Sequence, residues 1–508
     1  MSTAAFLAVL GGTSLLAVAA RWFRPSPELP TLESWALADR RFGTPTTWFL
    51  LGGTIYTAYT FAAVPGLVYG TGALGFFALP YTVIMCPLAF VLLPRLWSVA
   101  RRHGYITAAD FVRGQYGSPA LALVVAATGV LATMPYIALQ LVGIRAVLSV
   151  GGLYPQGVLG DLALVAVFAV LAVATYRHGL RAPAVISLMK GAAIFCSALA
   201  VSFLVLDRFG GPGPMFDGAE RALSGGQAPQ ASLTLDPSQF PVYATLALGS
   251  ALALLVYPHV LTSAFAAASA DTLRRAAVAL PAWTAVLGVF AMLGVAALAA
   301  GVQAPSMSSE DAVPLLVKEL MPAALTGLVF GALAVGALVP AAVMSIAVAT
   351  LFVRNIYVEY VHPTATPKHQ TRIAQLVSLS AKIGAVVFVF GLRDQDAINL
   401  QLLGGVWILQ TFPAVALGVF TRRLHRRALL AGWMTGMAAG TLMVVHSGFS
   451  ALVPVGGDGV RAYAAVVALA LNLAVAVTLT PVFTRVCRSL DPKPRAPVHL
   501  PPEAETTV

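Results

Sequence analysis

Long apolar runs recur along the whole chain, each closed by charged residues or by Pro/Gly turns. They fall at 4–22, 45–70, 73–95, 119–148, 159–176, 183–206, 242–266, 277–302, 322–353, 374–392, 397–420, 428–447 and 462–484. A helix needs about 20 apolar residues to cross the hydrocarbon core of a bilayer. The runs are too long and too continuous for strands of a membrane barrel. The pattern predicts an all-α integral membrane protein with 13 transmembrane helices, numbered here as spans 1 to 13.

Composition strengthens that reading. The 508 residues are 58% hydrophobic and 10% charged, with a mean hydropathy of +0.84. Soluble domains carry about 25% charged residues. A net charge of +11 would raise the question of nucleic acid in a soluble protein. Here the basic residues lie between spans, where they set topology, and no nucleic-acid partner is expected. With the N-terminus placed outside, the outer segments hold only Arg208, Arg221, Lys318, Arg393 and Arg461, while Arg145, Lys190 and Lys382 fall within spans. The remaining 23 of the 31 Lys and Arg then sit on the cytoplasmic side. This predicts a multi-pass protein of the cytoplasmic membrane with its C-terminus inside. The first run is preceded by no charge and followed by Arg21 and Arg24, the reverse of a signal peptide, so it is expected to remain as a helix. Cys86, Cys196 and Cys487 form no metal or disulfide pattern.

Interruptions of apolar helices point to sites, because a broken helix in a membrane needs cover from protein or a cavity. Span 2 reads Trp48-Phe-Leu-Leu-Gly52-Gly53-Thr54-Ile-Tyr56-Thr57-Ala-Tyr59-Thr60 before Pro65-Gly66. Glycine lets a chain leave helical geometry. A half-helix starting near Tyr56 would aim free N–H groups at an anion. Span 7 is interrupted at Tyr257-Pro258-His259, where proline removes a donor. Spans 2 and 7 are five apart, so units 2–6 and 7–11 would run in opposite directions as an inverted 5+5 repeat. The expected segments are 1–44, the repeats 45–206 and 242–420, an irregular outer loop at 207–241, two peripheral helices within 421–490, and a disordered tail at 491–508.

Span 4 carries Pro135, with Tyr136 and Gln140 one turn apart on one face; span 11 carries Gln401, Trp407, Gln410, Thr411 and Pro413. Together these could wall a small pocket. Gly327 and Gly331 in span 9 have the spacing of a packing face. Lys190 in span 6 and Lys382 in span 10 are charges at membrane depth, which are costly and usually functional. Either can instead snorkel towards the cytoplasm; both readings stay open for Lys190, and snorkelling is preferred for Lys382.

These stretches carry a resemblance. Trp35-Ala-Leu-Ala-Asp-Arg40, Val64-Pro65-Gly66-Leu-Val-Tyr69, Arg102-His-Gly-Tyr-Ile-Thr107-Ala-Ala-Asp-Phe, Gly179-Leu-Arg181-Ala, Pro258-His259 and Ala342-Val-Met-Ser345 with Arg354-Asn-Ile-Tyr357 resemble the sodium:solute symporters over most of the chain. Tyr56-Thr-Ala-Tyr-Thr and Pro135-Tyr-Ile-Ala-Leu-Gln140 suggest the branch that carries monocarboxylates. The resemblance implies the thirteen-helix form of the LeuT-like fold, with substrate between broken spans 2 and 7. It implies a coupling sodium between spans 2 and 9, held by carbonyls near Gly53, Tyr56 and Ala342 and by hydroxyls at 345 and 346.

The chain departs from that pattern. Ser345 is present but 346 is Ile, the family's acidic residue on span 6 aligns with Ser187, and a nearby Gln aligns with Lys190. Sodium, a hard cation, wants oxygen ligands. A Lys190 ammonium in place of the ion would couple transport to protons; backbone oxygens and water around sodium are the alternative.

The function expected is a symporter for a small monocarboxylate, coupled to Na+ or H+ and needing no other cofactor. Thr54, Thr57, Tyr136, Gln140, Tyr257, Trp407 and Gln410 would line its pocket. A symporter for an amino acid, a sugar or another nutrient is the alternative. An enzyme would need a nucleophile–base or metal constellation, and His259 and His446 have no acidic partners at useful spacing. A receptor is disfavoured by the short tail, and a channel by the pair of broken helices. Oligomeric state is open.

Overall fold

The computed structural model describes residues 2–23, 31–154, 179–226, 231–304, 309–391, 397–456 and 459–488, together with part of 157–178. The described chain is helical apart from a short antiparallel hairpin, Leu452–Pro454 with Arg461–Tyr463. The principal helices are α1 (Ser2–Phe23), α2 (Thr44–Ile55), α3 (Val64–Thr71), α4 (Ala78–His103), α5 (Pro119–Val150), α6 (Arg181–Phe209), α7 (Pro212–Ser224) and α8 (Phe240–Val256). They continue as α9 (Pro258–Phe265), α10 (Pro281–Ala299), α11 (Ala323–Phe352), α12 (Pro367–Gly391), α13 (Ala397–Ile408), α14 (Arg426–His446) and α15 (Ala464–Arg488).

Among the described residues, eight helices are long and apolar enough to cross a membrane; Ala397–Thr411 with Pro413–Phe420, bent by 41°, makes nine if the pair is counted as one span. Predicted span 2 is absent from that set because it is broken into α2 and α3. Predicted span 5 and the tail 491–508 lie largely or wholly outside the described residues. The segment 207–241 differs from expectation: it is not irregular throughout but contains α7, which packs on α10. Apart from Gly218, the glycines and prolines around this helix fall at its ends. Pro212 occupies the first turn and Gly225 the C-cap, so a composition that reads as loop marks helix boundaries instead.

α11 lies at the centre and is buried along almost its whole length. It is apolar on all sides, which suits a helix surrounded by others. α5, α1, α12 and α6 pack around it. A side chain at Gly331 would place its Cβ 2.6 Å from Val9 of α1, so this glycine is a packing face, as its spacing predicts. α14 and α15 pack on each other at the periphery.

The segments that carry the family resemblance meet in space. Leu180 N donates to Trp35 O (2.9 Å), Trp35 Nε1 to Tyr176 O (3.2 Å), and Arg181 to Ser34 and Asp39. Gly179 takes a left-handed backbone (φ +54°) and sits so close to Trp35 that a Cβ would lie 2.1 Å from its carbonyl oxygen. On the same face of the molecule, Asp110 accepts from Ile106 N (3.1 Å) and Asn355 Nδ2 (2.8 Å), and Thr107 donates to Asn355 Oδ1 (2.7 Å). Thr107 also caps the helix that follows it. These residues tie the loop after α4 to the end of α11.

Candidate functional site

α2 ends at Ile55, Tyr56 takes an extended conformation (φ −95°, ψ 96°), and the chain re-enters helix through a wide turn at Tyr59–Ala63 before α3. The break therefore follows the two glycines, and the second half-helix begins beyond Tyr56. Gly52 and Gly53 stay helical. A Cβ on Gly52 would lie 2.1 Å from Trp283 Nε1. The Tyr56 ring stacks on Trp283 at 5.7 Å and its hydroxyl hydrogen-bonds Thr284 Oγ1 at 2.7 Å. Gly52 thus allows close approach of α10, and freedom to leave the helix is not what it supplies.

The break frees carbonyls. Thr60 N donates to Thr57 O (2.8 Å), so Tyr56 O loses its usual helical partner. Lys190 of α6 takes its place, with Nζ donating to Gly53 O (2.6 Å) and Tyr56 O (3.1 Å). Lys190 is 1% exposed and does not snorkel. Lys382 of α12 does not snorkel either, contrary to the preferred expectation. It is buried, and Nζ donates to Ser378 Oγ at 2.9 Å. Ser378 donates onward to Ser345 Oγ (3.1 Å), and Ser345 to Ala342 O (2.8 Å). Gly53, Tyr56, Ala342 and Ser345, the positions implied for a cation, are each engaged by hydrogen bonds that lead back to a buried lysine. Sequence reasoning missed the tie between Lys382 and Ser345; the one-turn spacing of Ser378 and Lys382 was its only trace.

Beside this, α5 supports the break. Gln140 Oε1 accepts from Ala58 N (3.1 Å), and Nε2 donates to Thr57 Oγ1 (3.3 Å) and Tyr136 O (3.1 Å). The second broken helix contributes the opposite wall. α8 ends at Val256, Tyr257 is extended (φ −62°, ψ 135°), and Pro258 starts α9. The Tyr136 ring meets Tyr257 and His259, with ring centres 5.2 Å apart in each case. Thr54 Oγ1 donates to Leu51 O and lies 3.4 Å from Ser263 Oγ of α9. Around this cluster the hydroxyls of Tyr59, Tyr136 and Tyr257 and both ring nitrogens of His259 are buried without a hydrogen-bond partner. Native interiors leave few such atoms unpaired, and each asks for a water or a ligand.

Trp407 and Gln410 are not brought to this cluster. Trp407 Nε1 donates to Thr441 of α14 (3.2 Å), and Gln410 Oε1 accepts from Asn472 of α15 (3.2 Å). α13 turns Gly404 to the cluster instead, where a Cβ would lie 2.5 Å from the Tyr257 hydroxyl oxygen.

Two clefts approach from opposite ends of α5. One is lined by Thr107, Val125, Gly129, Pro258, Leu261 and Thr411 and reaches α9 from the face that carries Arg101 and Arg102. The other, with room for ≈ 200 Å³, is lined by Val142, Arg145, Ser149, Tyr154, Glu310 and Asp311. The tyrosine–histidine cluster lies between them on α5. Burial, and then the neighbouring Glu310, push the Asp311 carboxyl up to about 6.

A helical membrane protein with two broken helices packed against each other has the construction of a secondary transporter. The model of the "Sodium:solute symporter family" matches residues 35–436. The chain is 47% identical over 464 residues to a "Monocarboxylate transport permease protein" of Rhizobium johnstonii, covering 91% of this chain and 92% of that one. It is 31% identical over 460 residues to the "Uncharacterized symporter YodF" of Bacillus subtilis, covering 90% and 88%. Among solved structures, a Na+-coupled sialic acid symporter in a substrate-bound outward-open state superposes with a TM-score of 0.76 at 14% identity, over 94% of this chain and 98% of that one. The chain belongs to the sodium:solute symporter family. It is a cation-coupled symporter of the membrane, with a small-molecule substrate, and not an enzyme.

Proposed function

We propose that this protein takes up a short monocarboxylate, such as acetate, propionate, pyruvate or lactate, across the cell membrane by alternating access. The observation that carries the reading is the uncharged cluster of unpartnered phenol hydroxyls and imidazole at the two broken helices. A carboxylate only accepts hydrogen bonds, and this cluster offers donors. The 47% identity to a monocarboxylate permease supports the same substrate class. Thr54, Thr57, Tyr136, Gln140 and Tyr257 belong to this site; Trp407 and Gln410 face α14 and α15 instead.

The architecture proposed is thirteen crossings with the N-terminus outside and the C-terminus in the cytoplasm. Spans 2–6 and 7–11 form its inverted repeats. Matched breaks at Tyr56 and Tyr257, each an extended tyrosine that ends a helix, support the repeat. Lys190 takes the place of the coupling ion on Gly53 O and Tyr56 O, so its ammonium is the cation that carries the proton. A lysine ammonium brings three donors to carbonyls that would otherwise ligate sodium.

The substrate class is tested by uptake of labelled propionate into proteoliposomes in the presence of unlabelled competitors. Pyruvate and lactate are expected to compete, and alanine and glucose are not. Uptake of alanine or glucose with no uptake of propionate would overturn the reading.

A further inference from the structure

Among the described residues, the least satisfied buried polar side chain is His259. It is wholly buried, at the first turn of α9, and neither ring nitrogen has a hydrogen-bond partner. An ordinary core histidine is held by at least one bond through Nδ1 or Nε2, which fixes its tautomer. Its surroundings explain why no protein group answers it. The ring centres of Tyr136 and Tyr257 stand 5.2 Å away, and their hydroxyls are also unpartnered. Three adjacent side chains from α5 and from the Tyr257 break therefore share one deficit, which a single small polar ligand would remove.

The ligand's chemistry follows from what the cluster holds. Two phenols and a neutral imidazole supply three donor hydrogens, and the only strong acceptor among their side chains is one ring nitrogen. The two buried lysines are committed elsewhere, Lys190 to Gly53 O and Tyr56 O and Lys382 to Ser378. The N-terminus of α9 adds a partial positive charge on the same side. A compact anion with two acceptor oxygens fits this set, and a cationic or hydroxyl-rich ligand does not.

We infer that His259 binds the substrate's carboxylate directly, donating a ring N–H to one oxygen while the hydroxyls of Tyr136 and Tyr257 donate to the carboxylate from α5 and the helix break. This rests on the monocarboxylate reading and names the residue that recognises the charged end. The carboxylate then sits at the break that begins α9, and the substrate's apolar tail points away from it.

The test uses the full chain in proteoliposomes. Propionate and its neutral isostere propionamide compete against labelled propionate in wild type, His259→Gln and His259→Phe. His259→Gln keeps a donor and is expected to weaken propionate several-fold; His259→Phe is expected to weaken it at least tenfold, with correct folding checked by monodispersity. In wild-type protein, propionate but not propionamide is expected to slow carbethoxylation of His259 by diethyl pyrocarbonate, read by mass spectrometry; this arm needs no variant to fold. Wild-type uptake of propionate combined with unchanged competition in both variants, or with unprotected His259, would overturn the role of His259 and leave the substrate class standing. Absence of carboxylate uptake by wild type would overturn both.

Discussion

Gly52 and Gly53 are neighbours with different reasons to be glycine. A methyl at Gly52 would run into the Trp283 indole, whereas one at Gly53 makes ordinary contacts, with Ser187 Cβ at 3.5 Å and Lys190 Cδ and Nζ at 3.8 and 3.9 Å. Overpacking a well-filled core costs about 1–3 kcal/mol. Gly52→Ala is therefore expected to lower the thermal midpoint of the purified protein by several degrees, and Gly53→Ala to leave it nearly unchanged; fluorescence thermal-shift curves of the two variants check this. A second residue-level prediction concerns Asp311, whose carboxyl is held up at about 6 by burial. The raised folded-state value means that the folded chain binds this proton more tightly than the unfolded chain. The stabilisation is present at low pH and lost as pH rises through about 6. Asp311→Asn should raise the midpoint at pH 8, and the gain should vanish by pH 4. A gain that persists at pH 4 would assign Asp311 another role. The chemistry of single residues was only partly legible in the sequence. Lys190 and its carbonyl partners could be named from a resemblance. His259 was visible as a histidine within a span, after a proline and without an acidic partner, but an unpaired ring nitrogen is a property of surroundings that a sequence does not display.

At the scale of elements, the break in span 2 was legible near Tyr56, but the role of its glycines was not. Glycine signals freedom and close packing alike, and here packing on Trp283 decided the matter. What holds the broken segment is Gln140, which accepts from Ala58 N and donates to Thr57 and Tyr136 O. Leaving a buried N–H unanswered costs about 1–3 kcal/mol. Gln140→Leu is expected to reduce uptake at least tenfold and lower thermal stability, while Gln140→Glu, which keeps the oxygen facing Ala58 N, retains more of both. Equal loss in the two variants would show that the contact to Ala58 is not what matters. The face of span 11 illustrates a different limit. Periodicity groups residues on a helix surface but does not say which neighbour that surface meets, so Trp407 and Gln410 were grouped with a pocket that α13 reaches through Gly404.

At the scale of the molecule, hydropathy and charge made the class of fold readable, because a bilayer demands long apolar helices whatever their packing. The family's motifs outside the core also acquire a physical account. Residues 35–40 meet 179–181, and the loop through Thr107 and Asp110 meets Asn355. Both junctions fasten cytoplasmic-side loops in the proposed topology, so the motifs tie neighbouring helix ends together. Asn355→Ala removes the acceptor of the Thr107 hydroxyl and one donor to Asp110, which keeps Ile106 N and Arg354. It is expected to cost about 1–3 kcal/mol of stability with little change in half-saturating propionate; thermal-shift and uptake curves measured on one preparation separate the two effects.

The central claim is that a buried ammonium stands where this family's members hold their coupling ion. Its most direct test is labelled propionate uptake into proteoliposomes under a sodium gradient or a proton gradient imposed separately, for wild type, Lys190→Ala and Lys190→Gln. The account predicts proton-driven uptake that ignores sodium and loses its gradient dependence in both variants. Sodium-driven uptake that survives both substitutions would contradict it.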